Sequence, residues 1–192
     1  MGGLIALIGG EEFSPGFEDV HKYILTLTGK DRPHLVFFPT AVASEGSEAV
    51  KKWANLAVNH FSSLGATVDV AFVIDKTSAN ETEFVHMIER AEIVYLGGGL
   101  PQVYIEILYN SKVWDAIVKS HRSGMVLAGA SAGAMLLGQK TLVAEFPGDY
   151  PPSHWVDGFN VLPNVGIAPH YNTFPKEWIL KVKNNLPINT ML

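Results

Sequence analysis

The chain contains no cysteine. That absence removes disulfide frameworks, thiolate metal sites and cysteine nucleophiles together, and it fits a reducing compartment. Charge is also scarce: Asp, Glu, Lys and Arg make up 17% of the 192 residues, and arginine occurs only at Arg32, Arg90 and Arg122. With 14 Lys+Arg against 19 Asp+Glu, a formal charge of -5 and no basic cluster, nothing in the sequence suits a row of phosphates, so no nucleic-acid partner is expected. Long apolar runs are missing too. No window reaches the ~18 apolar residues of a membrane span, because Gly, Pro or a charge interrupts every run. The opening stretch Met1 to Gly10 is too short, and lacks the basic flank, for a secretory signal. A soluble, cytoplasmic protein without a membrane partner is expected.

Apolar residues, by contrast, make up 47% of the chain, enough to offset ordering entropy in one core, and the length suits a single domain over residues 1–192. Short apolar runs alternate with amphipathic stretches. Leu4 to Ile8 ends in Gly9-Gly10, His34 to Phe38 in Pro39-Thr40, Thr67 to Ile74 in Asp75, and Glu92 to Leu96 in Gly97-Gly98-Gly99; Met125 to Leu127 leads through Ala128 to Gly129. Runs that are short, β-branched and stopped by a turn former read as strands buried on both faces. Between them Val50, Trp53, Ala57, Phe61 and Leu64 recur at helical spacing before Gly65, and Asn80 with Glu83 resembles a capping box opening a helix through Ile88. Strand and helix in alternation predict an α/β fold of three layers, a mostly parallel sheet with helices on both faces. From Gln139 to about Tyr171 the prolines and glycines predict long loops over one end of the sheet, with a short strand at Val165 to Ile167.

Ligands of such sheets sit beyond the carboxyl ends of the strands, so the residues after each strand carry the chemistry. After the fifth strand stands Gly129-Ala130-Ser131-Ala132-Gly133, where small neighbours let the backbone bend sharply enough to expose a serine oxygen under a helix start. The same pattern fits a helix-capping serine packed close to the sheet; its place between strand and helix favours a nucleophile. A serine needs a base, and acyl transfer needs oxyanion donors. The side-chain-free Gly97-Gly98-Gly99, one unit earlier at the same sheet end, offers backbone N–H groups beside that of Ala132. The spacing and lysine of a phosphate loop are absent there. Of the seven histidines, His21, His60, His86 and His121 fall on helices and His34 begins a strand at the wrong end. His170 follows a possible strand and would reach the active end, whereas His154, beside Trp155 in a Pro-rich loop, reads as a surface or lid residue.

Together, Ile8-Gly9-Gly10, Phe37-Phe38-Pro39-Thr40-Ala41, Tyr95-Leu96-Gly97-Gly98-Gly99, Gly129 to Ala134 and Ala168-Pro169-His170-Tyr171 resemble the dipeptidase E and cyanophycinase family of serine peptidases. The resemblance runs from about Leu4 to Tyr171 and implies a flavodoxin-like fold akin to class I glutamine amidotransferases. It implies Ser131 as nucleophile, His170 as base and Gly98 with Ala132 as oxyanion donors, with Gly99 and Gln102 as substrate contacts. Neither a metal nor a cofactor is expected. An amidotransferase would need a cysteine nucleophile and a glutamate two residues after the histidine, where this chain has Ser131 and Asn172. The expected substrate is a small peptide, cleaved through an acyl-enzyme; a catalytically weak relative that binds a small ligand in the same pocket is the alternative.

Family members usually continue past the helix Pro175 to Lys183 into further strands, one with a glutamate near the histidine, so this chain would lack those strands. The expected consequences are low activity and self-association into a homo-oligomer through an exposed sheet edge. Within the chain the third triad member is sought among Glu145, Asp149 and Asp157, with Asp149 in the most suitable loop. Leu100 stands where many relatives have Asn or Asp. With Lys176 the nearest cation after the histidine and no arginine there, a preference for N-terminal aspartate is not expected.

Overall fold

The computed structural model describes residues 2–144, 152–186 and 191–192. Five strands form one parallel sheet: β1 (Ile5–Ile8), β2 (His34–Phe38), β3 (Thr67–Val70), β4 (Ile93–Leu96) and β5 (Val126–Ala130), in the order β1-β5-β4-β2-β3. The central strands are apolar throughout because helices cover both faces. All four residues of β4 are completely buried, each burial worth ~1.5–3 kcal/mol. On one face α3 (Thr82–Glu89), α4 (Pro101–Leu108) and α5 (Lys112–Arg122) pack around Val36, Val94 and Leu127. On the other, α1 (Glu18–Thr26) and α2 (Ser47–Ser63) bury Ile24, Ala57 and Phe61 against Leu35, Phe37 and Tyr95. The sheet is thus the middle of three layers.

Local chemistry sets the helix ends. Ser111 caps α5, its side chain accepting the Trp114 N–H at 3.1 Å, and Lys119, His121 and Arg122 in the last turn complement the helix dipole. Pro101 opens α4 at a position where no N–H is needed. The capping box expected at Asn80 does not form: α3 is preceded by Glu81, and the Asn80 side chain instead donates to Lys76 O and accepts the Lys112 N–H, tying α3's approach to α5. The third strand is shorter than expected, ending at Val70, because Val73 N–H turns back to Ala71 O and the Thr40 hydroxyl takes Val73 O.

The larger departure is the stretch read as loops. It contains a second, three-stranded sheet, β7-β6-β8, from β6 (Gly138–Val143), β7 (His154–Asp157) and β8 (Leu162–Gly166), preceded by α6 (Ala132–Met135) and followed by α7 (Lys176–Asn184). Pro163 lies inside β8, which is tolerable because β8 is an edge strand. Met135, Leu142, Trp178 and Val182 form a small core between this sheet and α7. Among the described residues no helix is long and apolar enough to cross a membrane.

Candidate active site

The turn from β5 into α6 is closely packed. A Cβ at Gly129 would run into the Gly133 carbonyl, and one at Gly133 into the Leu96 carbonyl, so only glycines two before and two after the serine allow this approach of helix to sheet. Ser131 itself takes φ 47° and ψ −112°, a conformation that costs a non-glycine residue ~1–3 kcal/mol and is held by its surroundings. Its N–H donates to Ile8 O at 2.9 Å. Its side chain makes no cap bond to α6. Instead Ser131 Oγ lies 2.9 Å from His170 Nε2, within reach for the hydroxyl to pass its proton to that nitrogen.

His170 reaches the serine by a route other than the one expected. The preceding strand, β8, belongs to the small sheet, and the histidine's N–H is fixed by Gly9 O at 2.9 Å. Consecutive carbonyls at the end of β1, Ile8 and Gly9, therefore hold the backbones of both residues. Gly10 completes the arrangement: a Cβ there would sit 2.5 Å from His170 Nδ1, inside the ring's van der Waals envelope. Phe174 closes against the imidazole edge-on at a centroid distance of 5.9 Å. Like Ser131, both His170 and Glu11 have positive φ, at 56° and 55°, so strained backbone gathers at this one place.

The remaining histidines lie elsewhere. His154 is exposed on β7, and His34 pairs with Asp69 at the opposite end of the sheet. Buried His21 shares hydrogen bonds with His60 at 2.8 Å and Tyr95 at 3.1 Å. Burial, with the nearby His60 second, drives its pKa down to about 4. Asp157, one of the three acids considered for the triad, is 84% exposed and paired with Lys140 at 2.6 Å across the β6–β7 ladder, so it does not serve His170. Glu145 and Asp149 lie outside the described residues. Among the described residues no carboxylate hydrogen-bonds the histidine.

Around the serine the surface divides. One side is a mostly apolar pocket of about 170 Å³ with Leu100, Met135, Leu142, Phe174 and Trp178 in its wall, and Gln102 at its margin. The other is a wider cleft of about 410 Å³ carrying Glu11, Glu12, Ser14 and Trp53. Gly99, Ser131 and His170 border both. A hollow of about 480 Å³ at the far end of the sheet, near Glu92 and Val126, contains no histidine and is remote from the serine.

Gly98 stands beside Ser131 as expected, but its N–H is not open: it donates to Glu12 Oε1 at 3.0 Å. Glu12 is only 4% exposed. Its Oε2 is buried without a hydrogen-bond partner among the described residues. Burial raises its pKa to about 7, against the opposing pull of the Gly98 N–H. Sequence reasoning missed this residue. The signal was present, since Glu11 and Glu12 directly follow the Gly9-Gly10 turn at the end of β1, at the catalytic end of the sheet. Ala132 N–H, at the start of α6, has no hydrogen-bond partner among the described residues.

Comparison with known proteins places the chain in a family and agrees with its fold. The pattern of peptidase family S51 matches residues 4–191. An uncharacterized peptidase of Pasteurella multocida is 26% identical over 162 residues, 83% of this chain and 75% of its own length. Peptidase E of Actinobacillus pleuropneumoniae is 33% identical over 86 residues, which are 44% of this chain and 36% of that protein. The crystal structure of a peptidase from an acI-B1 Actinobacterium superposes with a TM-score of 0.81 at 27% identity, covering 95% of this chain and 75% of that one. The structure of a putative peptidase E from Listeria monocytogenes shares the fold, with a TM-score of 0.66 at 22% identity over 96% of this chain and 88% of that one. A family match of that extent, on a chain whose fold agrees with its solved relatives, makes this protein a member of peptidase family S51.

Proposed function

We propose that the protein is a serine peptidase acting on short peptides. The observation that carries this reading is the 2.9 Å contact between Ser131 Oγ and His170 Nε2, made by a serine held out of helix-capping geometry. In the reaction Ser131 Oγ bonds to the peptide carbonyl carbon while its proton passes to His170 Nε2. The imidazolium then gives that proton to the leaving amine as the C–N bond breaks, and water repeats the sequence on the acyl-enzyme. Ala132 N–H, together with the loop around Gly98, faces the developing oxyanion, while Gly99 and Gln102 contact the peptide. Asp149, which lies outside the described residues, is the candidate to orient His170.

The pocket walls bear on substrate choice. Among the described residues no lysine or arginine lines the apolar pocket, which favours an apolar side chain over an aspartate beside the scissile bond. A second reading, a relative that binds peptide without turning it over, draws on the histidine having no carboxylate partner among the described residues. Incubating the protein and its Ser131→Ala variant with a dipeptide and tripeptide library, read by mass spectrometry, separates the two. The peptidase reading expects serine-dependent loss of peptides with apolar N-terminal residues. Binding without turnover would favour the second reading, and dominant turnover of Asp-X peptides would contradict the specificity.

A further inference from the structure

Glu12 is a carboxyl group inside the reaction site for which the mechanism above has no use. It enters from the turn after β1 and borders the cleft, with Oε1 on the Gly98 N–H and Oε2 buried without a hydrogen-bond partner among the described residues. A Cβ placed on Gly98 would be 3.4 Å from Glu12 Oε1 and 3.4 Å from Ser131 Cβ. Carboxyl, glycine and nucleophile thus meet at one point, and both Glu12 and Ser131 border the same cleft. An acceptor that takes the Gly98 N–H also withdraws it from any oxyanion.

We propose that Glu12 works as a neutral carboxylic acid, Oε1 holding the Gly98 N–H and Oε2–H supplying the hydrogen bond to the substrate oxyanion that Gly98 would otherwise give. The inference rests on the serine-peptidase reading. An ionised carboxylate at this position would repel the negative charge that develops on the peptide oxygen, whereas the protonated form supplies a donor at the place where an unpartnered oxygen now sits. A buried acid kept neutral so that it can donate is an established solution to oxyanion stabilisation.

The surroundings support protonation. Burial already brings the Glu12 pKa to about 7. Groups near it are Tyr95 of β4 and Tyr104 of α4, both fully buried with pKa values pushed up chiefly by burial and further by Glu12. Glu11, Ser131 and His170 border the same cleft, and no lysine or arginine does. Among the described residues the one group on this cleft able to carry positive charge is the His170 imidazole, and an approaching oxyanion favours the acid. Proton accounting is unchanged: the serine proton travels through His170 to the leaving amine, while the Glu12 proton stays on Oε2 throughout.

Glu12→Gln and Glu12→Ala test this directly. The glutamine keeps an acceptor for Gly98 and replaces Oε2–H by an amide N–H that does not titrate; the alanine removes both. With one peptide substrate, kcat/KM is followed from about pH 6 to about pH 9 for the wild type and each variant. The wild type should lose activity on the alkaline side with a midpoint near the Glu12 value of about 7. Glu12→Gln should lack that fall and stay within about tenfold of the wild type at neutrality. Glu12→Ala should lie ~10²–10³-fold lower, the usual cost of an oxyanion donor.

An alanine variant matching the wild type, a glutamine variant as weak as the alanine, or one with the same alkaline fall would each overturn the proposal. If thermal melting shows Glu12→Ala unfolded, the glutamine profile decides alone. A wild type that neither hydrolyses peptide nor reacts at Ser131 would remove the peptidase reading and this proposal with it. An active wild type indifferent to Glu12 removes only the proposal.

Discussion

The proposed nucleophile and the proposed base of this site come from regions built in different ways. Ser131 stands on the end of β5, a central strand of the parallel sheet, in a turn packed so closely that neither flanking glycine can bear a side chain. His170 comes from the loop between β8 and α7, behind a small sheet with a core of its own. A backbone hydrogen bond to Gly9 and ring contacts with Gly10 and Phe174 hold it at the serine. The geometry of Ser131 is thus a property of the main fold, while that of His170 depends on docking one region against another. Damage to the first should appear as lost stability, and damage to the second as lost chemistry in a folded protein.

The largest effect should come from the base itself. His170→Ala is expected to lower kcat ~10⁴-fold or more while leaving the melting temperature nearly unchanged, and His154→Ala should cost little. Near-normal peptidase activity in His170→Ala would sink the assignment. Next comes the docking contact. Gly10→Ala should press on the imidazole and move it off the serine, lowering kcat ~10²-fold, as about 1 Å of misplacement commonly does. Full activity in Gly10→Ala would mean that the histidine tolerates displacement.

On the sheet side, Gly133→Ala should reverse the balance. Its methyl group meets the Leu96 carbonyl, so denaturation should show a loss of ~1–3 kcal/mol, with any activity loss following from unfolding. An unchanged melt would show that the turn has slack. The smallest expected effect is a pH dependence of stability with opposing parts. His21 has a folded pKa below its unfolded value, so its contribution is present above about 6.5 and is lost as pH falls towards about 4. Glu12 has a raised pKa, so the folded state gives up stability as pH rises from about 4.5 through about 7. Melting curves of Glu12→Gln should therefore gain on the wild type above that range and converge with it towards pH 4.5.

The two regions also differed in how far they could be read from sequence. Parallel strands buried on both faces are unbroken apolar runs with a turn former at the end, and Ile93-Val94-Tyr95-Leu96 before three glycines is unambiguous. Gly129 to Gly133 was legible for the same reason, since the close packing it permits requires residues without bulk. In the small sheet, β7 and β8 are half exposed, one containing Asp157 and the other Pro163, and neither has the alternation or apolarity that marks a strand. The place of His170 beside Ser131 is only partly legible: a strand does precede it, but Gly9 O sets its position. Glu12 is legible in its position, just after the Gly9-Gly10 turn that ends β1, but not in its role, because nothing local marks a glutamate as buried. Its burial is a tertiary property, and its partner Gly98 lies far along the chain.

The central claim is that Ser131 is a nucleophile activated by His170. Reaction of the native chain with a fluorophosphonate, followed by peptide mapping and repeated on His170→Ala, tests it most directly. The account predicts one adduct, on Ser131, formed at least ~10²-fold more slowly without the histidine. No adduct, an adduct on another residue, or equal rates in the two proteins would contradict it.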